Sequence, residues 1–225
     1  MIDRESDALG PSLSQYLRQG ERLNLLCELA ERGSLRSRWE LSKVWNSIFP
    51  LVEPPTNGAA YGVILLNSNA PSNFSITNAV GVVNPAQLRA LKSLLQTTPQ
   101  TAWLILLHHQ IVEYPVPGIS LGDRVGLALM NASDVLAAIS PHASRLLVLH
   151  GHRHVDWIGT TGNTVLCSGP SVTLGPEKYR GRFTIHEFAV GDSGSVRLTK
   201  NERIKVASID RPQHDMEGRR SHEAA

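Results

Sequence analysis

Apolar residues follow two rhythms along this chain. At the start they recur at helical spacing: Leu13, Leu17, Leu23, Leu26 and Leu29 predict a helix over 12–32, which Gly33 ends. Trp39, Leu41, Val44, Trp45 and Ile48 predict a second helix over 36–48. Pro50, Pro54 and Pro55 close it, and Thr56-Asn57-Gly58 reads as a turn. From there short continuous apolar runs take over. Val63-Ile64-Leu65-Leu66, the run 103–107 (Trp-Leu-Ile-Leu-Leu) and the run 146–149 (Leu-Leu-Val-Leu) each read as a strand buried on both faces.

Helical patterns separate these runs. Asn84 is a good N-cap, Pro85 suits the first helical position, and Gln87 stands three residues after the cap, as in a capping box. Leu88, Leu91, Leu94 and Leu95 then lie along one helix face, and Thr97-Thr98-Pro99 stops it. A second helix is predicted over 131–139, with Ser133 as a candidate cap. After 149 come short alternating segments, 155–159, 163–167, 182–190 and 195–199, divided by glycine-containing turns. Strand, helix, strand, helix, strand and then short strands predict an α/β layered domain, one sheet being continued by antiparallel strands. The Asn- and Ser-rich stretch 67–82 and the stretch 114–130 read as loops flanking a pocket. The polar tail from about Asp210 reads as disordered.

Composition narrows the classes. At 41% hydrophobic and 19% charged residues the chain is built like a globular domain. A net charge of +2 with no long Lys/Arg run implies no nucleic-acid surface. No apolar run reaches membrane-spanning length, so no membrane partner is implied. The polar start Met1-Ile2-Asp3-Arg4-Glu5 lacks the features of a secretory signal, which makes a cytoplasmic location the expectation. Cys27 and Cys167 form no CxxC pair; a disulfide between them stays open, a reduced compartment being simpler.

The chemistry concentrates where two of the buried strands end. One stops on His108-His109, the other on His150-Gly151-His152-Arg153-His154. In open α/β sheets ligands bind at the carboxyl ends of strands, and imidazole is the commonest neutral metal ligand. His152 and His154, two residues apart in a turn, could reach one cluster, and Gly151 removes a side chain where the backbone must come close. His142, His186, His214 and His222 read as ordinary surface or core histidines. His109 and His150, beside the better candidates, read as groups that support the ligands.

The strand ending on His108-His109, followed some forty residues later by Gly151-His152-Arg153-His154, resembles the last two motifs of the calcineurin-like metallophosphoesterases. Val63-Ile64-Leu65-Leu66-Asn67-Ser68, with Gln87-Leu88 in the next helix, is similar to that family's preceding strand and helix; the likeness covers about 60–175. The resemblance implies a four-layer αββα sandwich, incomplete at the N-terminus and occupying 1–209, with 210–225 as the tail. It implies a phosphate-ester substrate and two divalent ions, manganese, iron or zinc, with His108, His152 and His154 as ligands. In the family a metal-bound hydroxide attacks phosphorus. The family's Asp-x-His, Gly-Asp and Gly-Asn-His-Asp or -Glu motifs are absent here; Gly122-Asp123 and Gly191-Asp192 stand in other places. Three readings stay open: a phosphoesterase whose chain is truncated, an inactive remnant or partner subunit associating through an uncovered N-terminal flank, and a mononuclear three-histidine zinc hydrolase.

Overall fold

The computed structural model describes residues 48–56, 58–69, 80–114, 116, 127–172 and 181–206. The helix predicted over 12–32, all but Ile48 of the helix predicted over 36–48, Cys27 and the tail lie outside the described residues. The elements run β1 (Leu51–Glu53), β2 (Tyr61–Leu65), α1 (Pro85–Thr97), β3 (Ala102–Leu106), α2 (Ala132–Ile139), a 3-10 turn (Ser140–Arg145), β4 (Leu146–His150), β5 (Trp157–Thr161), β6 (Thr164–Ser168), β7 (Arg182–Val190) and β8 (Val196–Lys205). One sheet has the order β1-β2-β3-β4-β6-β5; β7 and β8 form a separate antiparallel pair. The pairs β2–β3, β3–β4 and β4–β6 are parallel, and the flanking strands β1 and β5 run antiparallel. This is a mixed α/β architecture around a mostly parallel sheet.

Alternation along the central strands sends side chains to two cores. Ile64, Trp103, Ile105, Leu146, Val148 and Leu166 meet Leu88, Leu91, Leu94 and Leu95 of α1 and Val135, Ala138 and Ile139 of α2. Leu104, Leu147 and Cys167 face the other way, against Phe188, Val196 and Leu198 of the hairpin. The described layers are therefore helices, sheet and hairpin. β3 and β4 are buried almost throughout, as their unbroken apolar runs predict, whereas Val63 and Leu65 of β2 are only half-buried. They sit on the hairpin side, where two strands cover less of the sheet than the helices cover on the other side.

Local chemistry explains the helix ends. Asn84 Oδ1 accepts the Gln87 backbone N–H at 2.9 Å, and Pro85 opens α1. The capping box is not completed. Instead the Gln87 side chain, 1% exposed, clamps the backbone of Asn67 just past β2, accepting its N–H at 2.8 Å and donating to its carbonyl at 2.9 Å. Ser133 does not cap α2. Asn131 stands at the N-cap, and its amide both accepts from the Val83 N–H and donates to the Val83 carbonyl. At the other end Arg145 donates to the carbonyls of Leu95, Thr98 and Thr101, tying the start of β4 to the end of α1. Asn84→Ala is expected to destabilise the fold by about 1 kcal/mol in urea unfolding, the usual cost of a lost cap.

The free thiol of Cys167 is buried beneath the hairpin. Burial, helped by the charge of Asp156, pushes its pKa up to about 11. It behaves there as a small apolar side chain.

Candidate functional site

Three backbone contacts carry the parallel ladder past the strand ends. Leu107 N–H donates to Leu149 O at 3.1 Å, Gly151 N–H to His108 O at 3.1 Å and Gly169 N–H to His150 O at 2.9 Å. They bring the turn after β3 and the turn after β4 side by side at the carboxyl edge of the sheet, where a doubly flanked parallel sheet presents ligand sites.

The two turns meet through their histidines. His152 Nδ1 lies 2.8 Å from His108 Nε2, with the ring centroids 4.5 Å apart. His109 packs against both, its centroid 5.0 Å from that of His108 and 4.3 Å from that of His152. His108 is exposed, while His109 is 1% exposed. Partial burial, then the electrostatic influence of His154, holds the His108 pKa below the ordinary imidazole value. His154 thus acts on His108 electrostatically, whereas His152 touches it. Among the described residues no group of three or more His, Cys, Asp or Glu side chains is arranged to hold a metal ion.

The second turn is unusual in its backbone. His152 (φ 67°) and His154 (φ 54°) both occupy the left-handed region, which non-glycine residues enter at a cost of about 1–2 kcal/mol. Gly151 is not what makes the turn fit. A Cβ there would meet nothing within 4 Å, so the expected close approach is absent at that position. The crowded glycine is Gly81, where a Cβ would stand 2.5 Å from the ring of His109. Arg153, between the two strained residues, holds the turn down. Its guanidinium pairs bidentately with Glu113 at 2.6 and 2.8 Å and lies 5.6 Å from the centre of the Tyr114 ring. Tyr114 stacks on Trp157 at 4.6 Å and hydrogen-bonds Ser168 at 2.9 Å.

The resemblance includes Ser68 and Gln87 without assigning them a role at this site, and no sequence pattern marks Glu113 or Tyr114. Ser68, Gln87, Glu113 and Tyr114 reach it from separations of 20 to 54 residues, and a lone Ser or Tyr carries no local signal. His150 is buried at 6% exposure, and among the described residues neither of its ring nitrogens has a hydrogen-bond partner. Burial lowers its pKa from 6.5 to about 4. A histidine with a depressed folded pKa binds fewer protons folded than unfolded, so its stabilising effect is present above the unfolded value and is lost as pH falls. Unfolding stability is therefore expected to fall between pH 6.5 and about 4. In His150→Leu that segment of the stability profile should flatten.

The residues only partly match the ion centre that the resemblance implies. Two imidazole nitrogens lie 2.8 Å apart at hydrogen-bond distance, whereas two donors to one tetrahedral zinc stand about 3.3 Å apart, so a cation would replace that bond. The carboxylates nearest along the chain are engaged elsewhere, Glu113 with Arg153 and Asp156 with Arg203. Among the described residues no carboxylate joins the histidines to bridge a second ion. The two facing imidazoles suit one borderline ion such as zinc better than a pair of hard ions.

No known family model and no curated protein matches this chain. Among solved structures it is similar to a provisionally assigned 5'-nucleotidase from Staphylococcus aureus, in complex with alpha-ketoglutarate. The two share 12% identity at a TM-score of 0.40 over 70% of this chain and 29% of that one. It is similar to PhoD at 12% identity and the same TM-score, over 71% of this chain and 45% of the other. The chain thus spans less than half the length of either protein. A likeness of this size fixes neither fold nor activity.

Proposed function

We propose that the chain is a phosphoesterase-type hydrolase, acting on phosphomonoesters or phosphodiesters at the histidine cluster beyond β3 and β4. The observation that supports this reading is the nitrogen-to-nitrogen approach of His108 and His152 across two adjacent parallel strand ends, 2.8 Å apart. The two rings meet at the carboxyl ends of parallel strands, where such sheets bind ligands. His108 and His152, with His154 beside them, would hold one divalent cation, zinc fitting the donor set better than manganese or iron. Such a cation supplies positive charge to the phosphoryl oxygens. The protein's own share is to hold the rings: the ladder contacts fix the two turns, and the Arg153–Glu113 pair keeps the left-handed turn from relaxing. The exposed edge of His108 leaves the cluster open to a ligand from solvent.

A second reading is a chain that binds the cation without turnover, as a remnant or partner subunit. The engagement of both neighbouring carboxylates by arginines favours it, because a bridging acidic ligand is then lacking among the described residues. Steady-state hydrolysis of an aryl phosphate and an aryl phosphodiester, with zinc or manganese added, separates the two. The first reading predicts metal-dependent turnover that His152→Asn removes. Stoichiometric metal binding with no turnover would give the second reading the case.

A further inference from the structure

Ser68 follows β2 and is 1% exposed. Its Oγ lies 3.2 Å from the backbone nitrogen of His108, 3.1 Å from that of His109 and 2.9 Å from His109 Nδ1. A serine hydroxyl has two acceptor lone pairs and one proton to donate. Both backbone N–H groups are obligate donors, so they take the two lone pairs. The remaining O–H then points at His109 Nδ1, which must accept. A neutral imidazole whose Nδ1 accepts carries its proton on Nε2.

The geometry points to Ser68 as a positioning residue of the histidine cluster: we propose that it locks neutral His109 as the Nε2–H tautomer, a ring that packs against His108 and His152 and is not itself a cation ligand. One hydroxyl thus ties together three things. It closes the turn after β3 through the two backbone groups, and so sets where the His108 ring leaves the sheet. It fixes which His109 nitrogen carries the proton. It also anchors that turn to the end of β2, whose next contact is the Gln87 clamp on Asn67. Gly81 completes the seat. Its missing side chain is the space the His109 ring occupies, and the ring so placed lies against both neighbours. With Nδ1 accepting and Nε2 protonated, neither nitrogen of His109 has a free lone pair for a metal.

The tautomer assignment stands on this geometry alone, while its importance for turnover rests on the function proposed above. The test is long-range proton–nitrogen NMR of the histidine rings in the full chain at mildly alkaline pH, for wild type, Ser68→Ala and Ser68→Thr. The expected result is Nε2–H at His109 in wild type and in Ser68→Thr, with Ser68→Ala moving toward Nδ1–H. Zinc affinity should fall about tenfold in Ser68→Ala and recover in Ser68→Thr, the usual size of a lost supporting contact. A merely structural serine would lower the melting temperature and leave the tautomer alone. Nδ1–H in wild type, or an unchanged tautomer in Ser68→Ala, would overturn the proposal; if Ser68→Ala does not fold, the wild-type tautomer decides. A wild-type chain with Nε2–H at His109 and no turnover would sink the hydrolase reading while upholding this one.

Discussion

His152→Asn is expected to lower zinc affinity by about 100-fold or more, since losing a direct ligand should cost at least as much as losing a supporting contact. Asparagine is the informative replacement. His152 sits at φ 67°, a left-handed conformation that asparagine tolerates better than alanine does. The turn therefore keeps its shape, and the change in affinity reports the ring alone. His108 Nε2 then loses the only ring nitrogen within hydrogen-bonding distance that the described residues give it. Calorimetric titration of zinc into wild type and variant, with thermal unfolding run in parallel, checks the point. An affinity that barely moves, with an intact fold, would remove His152 from the site. His154→Asn should weaken zinc less, because among the described residues the ring contacts of this cluster join His108, His109 and His152 and not His154.

The second large effect is on stability. Trp103→Ala should destabilise the fold by about 3–5 kcal/mol, the range for emptying a buried aromatic site. Trp103 is fully buried in the middle of the sheet and pairs in register with Gly62 of β2. A Cβ on Gly62 would stand 2.2 Å from its ring, so that glycine exists to leave the indole room. The indole N–H also donates to Thr98 Oγ1 at 3.1 Å, joining β3 to the cap of α1. Truncation thus opens a cavity and removes the donor to the cap hydroxyl, which keeps its own bond to the Leu94 carbonyl at 2.7 Å. The urea midpoint measures the loss. A shift of under about 1 kcal/mol would mean that the helix layer collapses onto the space.

Much of this fold was legible because its signals are local. Unbroken apolar runs marked β3 and β4, and Asn84-Pro85 marked the start of α1 to the residue. Asn131 was passed over for Ser133, because a serine inside the first turn looks like a cap when the tertiary partner, Val83, is unseen. The length of β8 was underestimated for a related reason. Its far half, rich in Lys, Glu and Arg, has no apolar alternation and is held by pairing with β7. At the site the histidine-terminated strands announced themselves. Their convergence needs β3 and β4 to be parallel neighbours, which no local pattern states. Gly151 was read as a steric necessity, whereas the close approach falls at Gly81, distant in sequence from the ring it accommodates. The four-layer arrangement stays an expectation of the resemblance; the described layers are helices, a six-stranded sheet and a hairpin.

The claim at the centre of this account is that His108 and His152 face each other in order to share a cation. Crystals of the full chain grown with zinc, with data recorded on both sides of the zinc absorption edge, test it most directly. The account predicts an anomalous peak within bonding distance, about 2.0–2.1 Å, of His108 Nε2 and His152 Nδ1, with His109 outside the ligand shell. A zinc-saturated crystal with no peak there, the two rings still hydrogen-bonded to one another, would contradict it.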